Sequence, residues 1–318
     1  MNSLNFIVSQ ESKGLRLDQA IAANSELSRG MSRKIIDVGG CYRNRKRTRR
    51  SSAEVQPGDK IAIYWRDEEI ERLKKIDLSL KTESIIYEDS HFLVINKPTG
   101  LPSQGTRTQD IFHVVPQIEK LFLQMKRKCP QLRIIHRLDR DTTGVMVLGK
   151  NKKAYQHISD AFSKRKVEKE YHAICYGLPK ESKWTQKEPL GKIQASAGRV
   201  YVDFDKGLDA ETHFSTLSKN DEEQISLVKC QPITGRTHQI RAHLDFQNLP
   251  VVGDRNYGKD CFAGLTEELK DIVQRRQFLH ARALAIPRLR GEGLLHFNAP
   301  YPEAMHEMLN TLDIKDDC

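Results

Sequence analysis

The stretch from Ile134 to Leu148 constrains this chain more than any other. Its ends are apolar, Ile134-Ile135 and Val145-Met146-Val147-Leu148, and between them lies His136-Arg137-Leu138-Asp139-Arg140-Asp141-Thr142-Thr143-Gly144, rich in charge. Short apolar runs bounded by turn residues read as buried strands, so the fold must pack such strands in a core while leaving a charged loop at their ends. A loop anchored in that way holds its side chains rigidly enough for chemistry. The same texture runs from Glu83 onward. His91-Phe92-Leu93-Val94-Ile95 reads as a strand entering the turn Asn96-Lys97-Pro98-Thr99-Gly100, and Tyr171 to Tyr176 reads as another strand. Between the last two strands Ala154, Ile158, Ala161 and Phe162 recur at helical spacing. A mixed α+β domain is the consequence.

Much is excluded. At roughly 100 to 200 residues per domain, 318 residues with 38% hydrophobic content allow two or three domains with real cores. No apolar run approaches the ~18 to 20 residues that span a bilayer, and the opening MNSLNFIVSQESKG has neither the basic nor the apolar region of a secretory signal. A cytosolic, membrane-free chain is expected. Six cysteines, Cys41, Cys129, Cys175, Cys230, Cys261 and Cys318, are scattered without a C-x-x-C pair, so reduced and mostly buried thiols are expected. There is no H-E-x-x-H, and His238 and His243 lie five residues apart, facing away from each other on a helix. Neither G-x-G-x-x-G nor a P-loop is present, so no metal, dinucleotide or nucleotide cofactor is expected.

Charge is concentrated near the N-terminus. The formal net charge is +10, and six of those positive charges come from Arg43, Arg45, Lys46, Arg47, Arg49 and Arg50, in a run without an acid. Arg29, Arg33 and Lys34 extend the basic segment against the single acid Asp37. A charge run is usually a solvated face, but this one lies among folded elements. Leu15, Leu17, Ala20 and Ile21 suggest a helix, Ser28 caps a second one carrying Met31, Ile35 and Ile36, and Gly39-Gly40 ends it. Pro57-Gly58-Asp59 turns into the strand Ile61 to Trp65. A phosphate-binding surface is therefore the expectation. Residues 14 to 66 resemble the small RNA-binding domain first described in ribosomal protein S-four, with Tyr42-Arg43-Asn44-Arg45 where that family usually has a small apolar residue and Asn-Gly. Residues 67 to 82 are charged and unpunctuated, as in a linker or surface helix. The expected layout is a small α/β RNA-binding domain over 1–66, the linker 67–82 and a larger domain over 83–318.

Within the charged loop, Asp139 lies between Arg137 and Arg140, which favours its ionised form, and an ionised, positioned carboxylate can act as a nucleophile. Asp139 and Asp141 also suit simple turn chemistry. Two residues apart in an extended segment they face opposite ways, which weakens a paired-carboxylate mechanism. A second polar segment, Pro232-Ile233-Thr234-Gly235-Arg236-Thr237-His238-Gln239-Ile240-Arg241-Ala242-His243-Leu244, reads as a turn into a helix capped by Thr237. Arg236 and Arg241 then lie near the positive end of the helix dipole, where a cation calls for an anionic partner such as Asp139 or a phosphate.

Together HRLDRDTTG and PITGRTHQIRAHL, followed by Gly253-Asp254-Arg255-Asn256-Tyr257-Gly258 and Leu279-His280-Ala281, closely resemble the RluA-type RNA pseudouridine synthases over residues 83 to 303. The resemblance implies a mixed, largely antiparallel catalytic sheet and the isomerisation of uridine in RNA. It implies that Asp139 is the nucleophile, that Arg241 is its ion-pair partner, that Tyr171 of Lys169-Glu170-Tyr171 lies against the base with a role in proton removal, and that Arg137 displaces the base from its stack. His136, Lys169 and Arg236 join Arg137 as candidate substrate contacts. After Asn96-Lys97-Pro98, Leu101-Pro102-Ser103-Gln104 replaces a more frequent valine-histidine pair. A monomer acting on large-subunit ribosomal RNA is the leading expectation. Transfer RNA is the alternative target, and the intact Asp139, Tyr171 and Arg241 set argues against a noncatalytic ribosome-assembly factor.

Overall fold

A computed structural model describes residues 2–37, 39–65, 79–105, 113–193, 198–258, 261, 265–274 and 276–314. Most of the charged stretch 67–82, and Cys318, lie outside the described residues. The chain divides into two units, Met1–Ser79 with Gln104–Gln117, and Leu80–Ser103 with Ile118–Cys318.

In the first unit β1 (Asn2–Ile7), α1 (Leu17–Ala23), α2 (Arg29–Asp37), β2 (Cys41–Arg43), β3 (Lys46–Thr48) and β4 (Lys60–Trp65) form an antiparallel sheet of order β1-β4-β2-β3 with two helices. Ser28 caps α2, its Oγ accepting the Met31 N–H at 3.2 Å. Leu17, Ile21, Ile35 and Ile36 of the helices pack on Ile61 and Ile63 of β4. The arginine run is a hairpin. Arg43 pairs with Lys46, leaving Asn44 and Arg45 as a two-residue turn, both with positive φ (52° and 66°). A primed turn demands that conformation, and Asn tolerates it, so the turn closes without the family's glycine.

The second unit is built on a ten-stranded sheet. Its elements are β5 (Ile85–Glu88), β6 (Phe92–Lys97), α3 (Val114–Gln124, which begins in the first unit), β7 (Arg133–Ile134), β8 (Thr143–Gly149), α4 (Lys152–Ser163), β9 (Glu168–Tyr176), β10 (Lys183–Gln186), β11 (Thr212–Asn220), β12 (Ile225–Pro232), α5 (Gln239–Phe246), α6 (Glu267–Gln274), β13 (Leu279–Pro287), β14 (Leu294–Asn298) and α7 (Glu303–Thr311). The main path runs β10-β11-β12-β9-β13-β8-β6-β5, with β14 on β13 and β7 on β8. Among the described residues every pairing of this sheet is antiparallel except β13 with β8. β8 is buried along its whole length, as its unbroken apolar run requires. Helix α4 lays Ala154, Ile158 and Ala161 on Phe92, Val94, Val145 and Val147. Ile240 and Leu244 of α5 pack on Ala173, Val228 and Cys230.

The parallel contact joins Gly144 of β8 to Ala281 of β13. Gly144 has φ 109°, and a Cβ there would lie 2.2 Å from the Ala281 carbonyl oxygen, so only glycine fits. Cys41, Cys175 and Cys230 are buried free thiols, Cys129 is half-buried and Cys261 is exposed. Among the described residues no helix is long and apolar enough to cross a membrane.

Candidate active site

The strands β8, β9 and β13 sit side by side at the middle of the large sheet, and the loop 136–142 enters β8 at their ends. Three neighbours fasten that loop. Ser103 Oγ donates to the Leu138 carbonyl at 2.6 Å and accepts the Leu138 N–H at 3.0 Å. Thr99 Oγ1 donates to the Asp141 carbonyl at 3.0 Å. Lys97 is fully buried, and its Nζ donates to the carbonyls of Pro98, Leu101 and Arg140 at 3.0, 2.8 and 2.9 Å. Burial pushes the Lys97 pKa down to about 7, against the pull of Asp141 and Asp139. The departure at Leu101 to Gln104 thus supplies one of the groups that hold the charged loop, Ser103, and its Leu101 carbonyl helps to hold Lys97.

Asp139 points to α5. Arg241 Nη1 donates to Asp139 Oδ2 at 2.9 Å. The helix starts one residue later than the sequence suggests. Its N-cap is His238, not Thr237, in the left-handed conformation with φ 55°. Arg241 therefore lies in the first turn, 6% exposed. Its other donors are gripped by a second carboxylate, which is fully buried: Nε to Asp254 Oδ2 at 2.6 Å and Nη2 to Asp254 Oδ1 at 2.9 Å. Burial works against the Arg241 charge, but these hydrogen bonds and the charges of Asp254 and Asp139 raise its pKa beyond the ordinary arginine value. Asp254 also accepts from Gln277 Nε2 at 2.7 Å and from the Asn256 N–H at 3.0 Å. The Tyr257 ring lies against the guanidinium, 4.9 Å from its carbon.

Asp139, Tyr171, Arg241, Arg137, His136, Lys169 and Arg236 all line one cleft of about 380 Å³. Tyr171 stands on β9 opposite Cys230 and Ala281. Burial, then the Asp139 charge, raises its pKa above the usual tyrosine value. Lys169 donates to the Thr234 carbonyl at 2.8 Å, and burial, then Arg165, lowers its pKa to about 8. Arg236 is exposed and donates through Nε to the Asp209 carbonyl at 2.9 Å. Arg137 is exposed at the rim. His136 stacks on Phe162, and its Nε2 accepts the Val147 N–H at 3.0 Å, so one ring nitrogen is spent on holding the loop. Burial lowers its pKa to about 4 and keeps it neutral. Asp141 turns the other way and pairs with Arg140 at 3.4 Å.

The nine basic residues expected from the sequence to contact RNA divide into classes. Arg29 and Arg33, with Arg16, bind the fully buried Asp18 through Nε at 3.0, 2.5 and 3.2 Å. Arg43 pairs with Asp59 at 2.5 Å. Arg45, Lys46, Arg47 and Arg50 are exposed, while Lys34 and Arg49 are half-buried.

Residues 91–246 match the family model described as RNA pseudouridylate synthase. The ribosomal large subunit pseudouridine synthase D of Vibrio cholerae is 33% identical over 99% of this chain and 95% of its own length. The chain belongs to the RNA pseudouridine synthases. It is an isomerase that acts on RNA. An uncharacterized RNA pseudouridine synthase of Bacillus subtilis, YlyB, is 29% identical over 98% of this chain and 99% of its own. Among solved structures, human RNA pseudouridylate synthase domain containing 4 is 29% identical, covering 73% of this chain and 94% of that one with a TM-score of 0.59.

In this synthase three residues of the site are not singled out by the sequence alone. Asp254 lies within a matching segment, Lys97 within a turn signal, and His238 only in a pair too far apart to ligate a metal. One signal points to Asp254. An arginine offers five N–H donors in a rigid fork, more than Asp139 alone can accept, so a buried Arg241 calls for a second acceptor.

Proposed function

We propose that this synthase isomerises specific uridines of large-subunit ribosomal RNA, with Asp139 as nucleophile, Arg241 as its ion-pair partner and Tyr171 against the target base. The observation that carries the reading is the Arg241–Asp139 hydrogen bond at the edge of a cleft that Tyr171 also lines. In the reaction the N1–C1′ bond breaks and a C5–C1′ bond forms, while C5 loses a proton and N1 gains one. No electron or water is consumed. Asp139 supplies a carboxylate that can bond covalently during the detachment. Arg241 pairs with that carboxylate and aims it, and Asp254 keeps Arg241 in place. With its raised pKa Tyr171 stays protonated at neutral pH, so it takes up the C5 proton only in concert with passing its own onward.

A uracil in folded RNA must leave its stack first, at a cost of a few kcal/mol. Arg137 at the rim takes the vacated place, while Arg236, Lys169 and the His136 edge contact the extruded nucleotide and its phosphates. Residues 1–66 serve as the RNA-binding domain of the S-four kind, 67–82 as a linker and 83–318 as the catalytic domain, in a monomer working in the cytoplasm. Arg45, Lys46, Arg47, Arg49 and Arg50 are its phosphate contacts, with Arg29, Arg33 and Lys34 beside α1. The ribosomal target is supported by the Vibrio cholerae relative, whose name assigns it to the large subunit. Comparing pseudouridine in ribosomal and transfer RNA from cells with and without this gene tests it. A change confined to large-subunit RNA is expected, and one confined to transfer RNA would contradict it.

A further inference from the structure

One face of the N-terminal sheet takes no part in the core. Helices α1 and α2 cover the side to which Ile61 and Ile63 point. The register places Tyr42 beside Ala62 and Arg47, and sets Lys60, Ala62 and Tyr64 on the other side with Ile7. There Ile7 is 63% exposed and Tyr64 37% exposed. The face holds a depression of about 680 Å³ lined by Ile7, Ala62, Tyr42, Tyr64, Arg45 and Lys60.

Its aromatic groups are held in place. Tyr42 and Tyr64 meet edge to face with centroids 5.8 Å apart at 81°. The Arg47 guanidinium lies 5.2 Å from the Tyr42 ring centre and donates twice to its hydroxyl, at 3.1 and 2.6 Å. Arg45 stands at the hairpin turn and Lys60 at the start of β4. Among the described residues whose side chains point to this face, none is acidic.

We infer that this open face is a stacking platform for single-stranded RNA, with the Tyr64 ring and the Arg47 guanidinium as planes for unpaired bases and Arg45 and Lys60 as phosphate contacts. Exposed flat π groups ringed by cations fit a flexible polyanion with accessible base faces; a duplex offers the charge but hides those faces. Two cations without an acid between them disfavour a basic partner, and the aromatic planes give an acidic peptide nothing to stack. The inference rests on the reading that the chain binds RNA, and extends it from phosphate contacts to bases.

The test is binding of the full chain to an unstructured RNA oligonucleotide, to the same oligonucleotide made abasic, and to a duplex, over a range of salt. Base stacking on an aromatic ring makes Tyr64→Leu bind the single strand roughly five- to a hundredfold more weakly. Its salt slope should stay unchanged, since no ionic contact is lost, and the abasic strand should bind variant and wild type alike. Photocrosslinking the unaltered protein to a bromouridine oligonucleotide should mark the peptides holding Tyr42 or Tyr64, which guards against a misfolded variant. Equal affinity of Tyr64→Leu for the single strand, an equal loss on the abasic strand, or crosslinks only elsewhere would overturn the inference. So would sedimentation showing a wild-type dimer that Tyr64→Leu dissolves, because the face would then hold a second copy. The readout is binding alone, so a chain that failed to isomerise uridine would leave it intact, and an inert sheet face would leave isomerisation intact.

Discussion

Asp254 grips Arg241 with two hydrogen bonds, at 2.6 and 2.9 Å, and so leaves Nη1 as the donor that meets Asp139. The buried carboxylate sets the direction of the arginine, and the arginine sets the direction of the candidate nucleophile. Asp254 is itself fixed by Gln277 and by the Asn256 N–H. Gly253 permits the approach: its φ is 70°, and a Cβ would lie 2.0 Å from the Arg276 carbonyl oxygen.

Removing Asp254 should therefore act twice. Asp254→Ala leaves a buried guanidinium half-paired, which costs about 3 to 5 kcal/mol of stability, and frees Arg241 to swing from Asp139. Denaturant unfolding should show the first effect. Single-turnover kinetics should show the second, as a fall of orders of magnitude, and Arg241→Met, which removes the same pairing with Asp139, should fall alike. Full turnover in a folded Asp254→Ala protein would separate the two carboxylates.

Gly144→Ala should break the one parallel contact of the large sheet among the described residues. The added methyl group has no room beside Ala281, and φ 109° is closed to alanine. A loss of about 3 kcal/mol or more is expected in thermal or urea unfolding. Turnover should fall with it, because β8 carries the Asp139 loop.

The buried lysine gives a pH dependence of known sign. The Lys97 pKa falls from an ordinary 10.5 to about 7 on folding, so between those values the unfolded chain binds more protons than the folded one. Stability from this group therefore rises with pH from about 7 towards 10.5 and is lost as pH falls through 7. Lys97→Met removes this dependence. Urea unfolding of both proteins should show wild type gaining on the order of 2 kcal/mol over the variant between pH 6.5 and 9. A constant difference would mean that Lys97 is not held in so dry a place.

The arginine hairpin should behave unevenly. Neutralising Arg45, Lys46, Arg49 or Arg50 should flatten the salt dependence of RNA binding by about 0.7 to 0.9 per lost phosphate contact. Arg43→Gln should change the slope least and cost stability instead, because its guanidinium is committed to Asp59. Filter binding over a salt series, with melting curves of each variant, separates these outcomes.

The parts of this fold legible in sequence are those written locally. Val145 to Leu148 had to be a buried strand, Ala154 to Phe162 had to be an amphipathic helix, and Ser28 and Gly39-Gly40 mark the ends of α2. The pairing of Asp139 with Arg241 comes from the family resemblance, since the helix dipole alone asks only for an anion, a carboxylate or a phosphate. Asp254 could not be paired from sequence, since its meaning depends on Arg241 being buried beside it, thirteen residues away in the chain. Lys97 looked like a turn residue because a lysine reveals its burial only once the three carbonyls around it are placed. The open face of the small sheet is hidden for the same reason: Tyr64 reads as an ordinary strand residue and Tyr42 only as a departure from the family's turn, and the register of β2 on β4 sets them on the side away from the helices. The cap of α5 moved from Thr237 to His238 because Gln239 is bound to the turn before it, accepting the Arg236 N–H at 2.9 Å and the Thr234 hydroxyl at 2.7 Å.

The most direct test of the central claim is pseudouridine mapping of total RNA from cells that lack this gene and carry either wild-type protein or Asp139→Asn. The amide keeps the size of the carboxylate and cannot form the covalent bond. The account predicts that wild type restores the missing pseudouridines and that Asp139→Asn restores none while still binding RNA. Restoration by Asp139→Asn would contradict it.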